Sequence, residues 1–92
     1  MPNPVSETGT YSNITSTTTV RTGAAELLGI LCASTSSGTV VVYDNTSAAT
    51  PITGTITLTA GQWYPIPATC RTGVHVVIAN TANITVFYNP TV

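Results

Sequence analysis

Catalysis needs a nucleophile, a base or a set of metal ligands, and few residues of this chain can supply one. His75 is the only histidine, and the acids are Glu7, Glu26 and Asp44. These three fall in an N-terminal stretch, a hydrophobic segment and a turn cluster, so none is spaced to orient His75 as a base or to share a metal with it. In Gly73 to Ala79 (GVHVVIA), His75 alternates with Val74 and Val76, which puts it on the more solvent-facing side of a strand. Asp44 stands before Asn45, Thr46 and Ser47 and reads as a turn former, not a cation ligand. Cys32 and Cys70 form no CxxC pair, so zinc is not expected; they read as reduced, half-buried thiols, with a disulfide as the alternative. The glycines are scattered singly, as turns require, and make no phosphate loop. The expectation is a protein with no catalytic residues, no metal and no cofactor, hence not an enzyme.

Two surface features remain. Trp63-Tyr64 and Phe87-Tyr88 are aromatic pairs of the kind found in cores, at interfaces or, on some β-domains, stacked on sugar rings. Thr53, Thr55, Thr57 and Thr59 form a period-two ladder, but ice-ordering surfaces need several stacked rows and only Thr15, Thr17 and Thr19 offer another. The sequons at Asn13, Asn45 and Asn83 are what a threonine-rich chain contains by chance.

The elements that must carry these residues read as strands. Residues 1–12, with Pro2, Pro4 and Gly9 and no periodicity, read as an extended arm, followed by one domain over 13–92. Ile14 to Val20 alternates weakly. Glu26 to Ala33 (ELLGILCA) reads as a strand running into a turn at Ser34 to Gly38, with one or two helical turns as the alternative. Thr39 to Asp44 is rich in β-branched residues and stops at a turn. Ile52 to Thr59 alternates strictly, and Pro65 and Pro67 demote Gln62 to Ile66 to an edge or short strand. Gly73 to Ala79 and Ile84 to Tyr88 are expected to form a hairpin across Asn80 to Asn83. About seven short antiparallel strands without a helix predict an all-β fold, a small β-sandwich or barrel.

Composition agrees and narrows the partners. Ninety-two residues fit one core. Thr, Ser and Asn make up 33 of them, and ten Val and seven Ile add β-branched bulk suited to a pleated sheet. Only 5% of residues are charged, against about 25% in ordinary domains. Arg21 and Arg71 cannot neutralise a run of phosphates, which argues against nucleic acid and against electrostatic attachment to acidic membranes. No apolar run approaches the roughly 20 residues of a membrane span, and the amino terminus lacks the basic and apolar regions of a secretory signal. A surface of small neutral polar residues with net charge −1 favours association, so the chain reads as one that sits against other protein.

The hydrophobic LLGIL strand, then SSGTVVVYDNTSAAT, a middle strand, RTGVHVVIAN and a closing TANITVFY, together spanning about Val20 to Tyr88, resemble the small β-domain proteins of tailed-bacteriophage virions. The resemblance implies a head decoration (cement) protein with a β-sandwich or jelly-roll-like domain. It would be made in the host cytoplasm and bound to the major capsid protein on the outside of the shell, often as a homotrimer. It also leaves open a head-fibre anchor, tail or connector component. The residues expected at a capsid or subunit contact are Pro2, Pro4, Val5 and Tyr11 in the arm, and Trp63 and Tyr64. The rival from another class is a glycan-binding module using Trp63, Tyr64 or Tyr88 as a stacking platform.

Overall fold

The computed structural model describes residues 10–91, and among these the fold is all-β, with six antiparallel strands and no helix. The strands are β1 (Thr10–Ile14), β2 (Thr18–Thr22), β3 (Ala25–Tyr43), β4 (Ile56–Thr57), β5 (Trp63–Cys70) and β6 (Gly73–Pro90). The long strands β3 and β6 run side by side from Ala25 opposite Pro90 to Tyr43 opposite His75. Each serves two half-sheets. The first half-sheet has the order β1, end of β6, start of β3, β5; the second has β2, start of β6, end of β3, β4. With β3 and β6 counted as two segments each, the first of eight segments pairs with the last, the second with the seventh, the third with the sixth and the fourth with the fifth. That is jelly-roll connectivity. Inward residues of both half-sheets, among them Leu27, Ile30, Val40, Val42, Val74, Val76, Ile84 and Val86, form one core.

Six strands stand where about seven were expected: two expected turns do not reverse the chain, which merges four segments into two, and Ile14 to Val20 divides between two strands. Ser34 to Gly38 lies inside β3 and Asn80 to Asn83 inside β6, so the expected hairpin between Gly73–Ala79 and Ile84–Tyr88 is a single strand. The turn-prone residues are used to bend two paired strands together. Ser37 and Asn80 take left-handed φ values of 56° and 63°, and the Asn80 side-chain amide donates to the Ser37 carbonyl at 2.7 Å. Gly38 completes the corner: a Cβ there would lie 2.6 Å from the Thr81 carbonyl oxygen. Strands that change sheets through such bulges are how a sandwich corner is built.

Other boundaries move as well. Thr10 to Ser12, assigned to the arm, belong to β1, because Tyr11 and Ser12 find partners in Phe87 and Val86. Ile14 to Val20 splits between β1 and β2 as the chain crosses from one half-sheet to the other. Of Ile52 to Thr59 only Ile56 and Thr57 are strand; the Ile52 and Thr53 amides both donate to the Val42 carbonyl, and Thr53 Oγ1 accepts from the Val42 amide, so no flat threonine ladder forms. Glu26 to Ala33 is strand and not helix. The proline-bearing segment is the edge strand β5, as its prolines require.

Candidate functional site

A bulge at Leu28 in β3 builds the most distinctive surface of the molecule. Ala25 and Leu27 face the core; after the register shift between Leu27 and Gly29, the inward residues are Ile30 and Cys32. The shift turns Gly29 and Leu31 outward on the first half-sheet. Leu31 faces Trp63 on β5, and Gly29 faces Phe87 on β6, which in turn faces Tyr11 on β1. The Trp63 ring lies across Gly29, where a Cβ would stand 2.7 Å from Trp63 Cη2 and 2.5 Å from the Tyr64 carbonyl oxygen. Only glycine permits that approach. Trp63 then meets Phe87 edge-on at 5.7 Å between ring centroids, and Phe87 meets Tyr11 at 6.4 Å.

The result is a strip of apolar side chains across all four strands of one outer face. Its exposed members are, among the described residues, the large hydrophobic side chains left most open to solvent: Tyr11 at 67%, Trp63 at 44% and Leu31 at 39%. Asn13 borders it, its amide donating to Asn83 Oδ1 at 2.7 Å and to Thr85 Oγ1 at 3.1 Å. No charged residue lies within the strip. Glu26 stands at the far end of the same half-sheet, beside an open cleft of about 300 Å³ lined by Leu28, Pro67 and Thr69.

The sequence-derived contact residues separate on this surface. Tyr11 and Trp63 come together through Phe87, a residue the sequence reading did not assign to the contact. Tyr64 turns towards the core, and its hydroxyl accepts from the Thr59 amide at 2.7 Å. Tyr88 packs on the core as well, so Trp63, Tyr64 and Tyr88 do not make one stacking platform. Pro2, Pro4 and Val5 lie outside the described residues.

His75, Asp44 and Arg21 take part in hydrogen bonds within the fold, and both thiols are buried. His75 is part-buried, its Nδ1 2.8 Å from Thr19 Oγ1 and its ring beside Tyr43. The Asp44 carboxylate accepts backbone hydrogen bonds from Arg71, Thr72 and Gly73, and these bonds, led by that of Thr72, hold its pKa below the ordinary aspartate value. Arg21 donates to the carbonyls of Ala24 and Thr91. Cys32 and Cys70 are unbridged, and they are fully buried where half-burial was expected. Burial raises both thiol pKa values, that of Cys70 to about 11 with a further contribution from the Asp44 charge. Among the described residues no group of three His, Cys, Asp or Glu side chains could hold a metal, and no helix is long and apolar enough to cross a membrane.

What this arrangement can do is bind. It offers an uncharged, mainly aromatic face on a small sandwich, with the Asn13 and Asn83 amides at its border. No protein-family model, curated protein or solved structure matches this chain.

Proposed function

We propose that this protein is a phage virion structural protein, a head decoration (cement) protein that binds the major capsid protein on the outer surface of the shell and stabilises capsomer junctions. The observation that carries this reading is the Tyr11–Phe87–Trp63 strip with Leu31, an exposed apolar face on a jelly roll whose other exposed residues are mostly small and uncharged among those described. Aromatic side chains with few rotatable bonds make good contact anchors, and a contact poor in charge is cheap to desolvate. The interface of one copy is modest, but repetition over a lattice multiplies its effect where copies also touch one another. The segment pattern that resembles tailed-phage virion proteins supports the same station.

The test is co-sedimentation of the purified protein with heads that lack it. Saturable binding that Trp63→Ser and Tyr11→Ser each weaken supports the reading. A folded protein that leaves heads unbound but binds on a glycan array replaces it with the sugar-stacking use of the same aromatics.

A further inference from the structure

We propose that β1 is a self-association edge, through which two copies of this chain pair antiparallel to extend the first half-sheet from four strands to eight. A jelly roll has four strand edges, and here three carry the devices that prevent edge pairing. The β5 edge contains Pro65 and Pro67, which lack amide donors. β4 is two residues long. β2 is interrupted by a register shift between Thr19 and Arg21 and carries the Arg21 charge. β1 has none of these: Thr10 to Ile14 pairs without a break against Tyr88 to Ile84 and contains no proline, glycine or charged residue. On its open side, alternate residues present backbone donors and acceptors with no strand beyond them among the described residues.

The occupant that fits is a second copy. A twofold contact duplicates every charge it contains, so self-pairing is opposed wherever an edge is charged. This edge has no charge to duplicate, and the whole chain carries only −1. A pairing centred on Ser12 sets Tyr11 of each copy opposite Asn13 of the other. Tyr11 is also the end of the aromatic strip, so the strip continues from one copy into the next. Five paired residues make a contact below the roughly 1,200 Å² of stable complexes, so the pair is weak and reversible in solution and gains weight where copies are held at high local concentration. The inference is independent of what the aromatic face binds, and a twofold pair differs from the trimer that the virion resemblance implies.

Light scattering of the purified full chain over a concentration series tests it. The expected result is a mass that rises from one to two chains. Tyr11→Lys and, separately, Thr10→Lys should raise the dissociation constant by about tenfold or more, a loss of ~1.4 kcal/mol. Thr57→Lys, exposed on β4 in the other half-sheet, should leave it unchanged. Circular dichroism verifies that each variant is folded. A monomer at every concentration, a trimer, or a dimer that survives both β1 substitutions overturns the proposal. Monomers that still sediment with heads would overturn the pairing alone and leave the attachment reading standing.

Discussion

Asp44 clamps the backbone of Arg71. The Arg71 amide donates to Oδ1 at 2.9 Å and to Oδ2 at 3.1 Å, and the amides of Thr72 and Gly73 also point at Oδ1. These residues connect β5 in the first half-sheet to β6 in the second, so one carboxylate at the end of β3 fixes a crossing between the two layers. Its surroundings are tight: a Cβ on Gly73 would stand 2.6 Å from the Arg21 carbonyl oxygen.

Asp44→Asn should therefore destabilise the fold at neutral pH by about 1–2 kcal/mol, after allowance for partial exposure. The folded pKa of Asp44 is depressed, so its contribution is present above the unfolded aspartate value of about 3.9 and is lost as pH falls through the lower folded value. Urea unfolding of wild type and Asp44→Asn should differ at neutral pH and converge in acid. A constant difference would contradict the charge-based clamp.

The thiols give a prediction of opposite sign. Cys70 keeps its proton to about pH 11 in the folded state, and its burial stabilises the fold only while the unfolded thiol is also protonated. Stability should fall as pH rises from about 8.5 towards 11, and Cys70→Ala should flatten that part of the profile. At neutral pH a thiol reagent should label neither cysteine until the protein unfolds, since both are buried.

Gly29→Ala should cost about 1–3 kcal/mol and displace the Trp63 ring, read as a shift in tryptophan emission. The new methyl meets the Tyr64 carbonyl oxygen as well as the indole, so the ring cannot yield alone. Unchanged emission and stability would remove Gly29 as the support of the aromatic strip.

At the corner, Asn80→Ala loses both the bond to Ser37 and a residue tolerant of the left-handed backbone, and should cost about 1–2 kcal/mol. Asn80→Gly keeps the backbone and should cost less. Equal losses would show that the side-chain bond alone holds the bend.

The period-two pattern made part of the core legible. Val74 and Val76, which alternate with His75, face inward as their sequence indicates, whereas the unbroken Val40-Val41-Val42 run does not say which of its residues are buried, and the strictly alternating Ile52 to Thr59 is strand only at Ile56 and Thr57. The prolines identified the β5 edge. Turn chemistry misled at Ser34 to Gly38 and Asn80 to Asn83, because residues that permit a reversal equally permit a bend when a neighbouring strand keeps the backbone paired. The aromatic strip was half legible: Tyr11 and Trp63 stand out as aromatics near a terminus and a turn. Their meeting over Phe87 depends on a one-residue bulge at Leu28 that inverts which residues face outward, and local periodicity does not announce a bulge. The Asp44 clamp joins residues 27 apart, and only the jelly-roll crossing brings them together.

The most direct test of the central claim is co-sedimentation of the protein with heads lacking it, comparing wild type with Trp63→Ser at matched concentrations. The account predicts saturable binding for wild type and binding weakened by about tenfold or more for Trp63→Ser, the loss expected of a contact anchor. Equal binding of the two, or a folded wild type that stays in the supernatant, would contradict it.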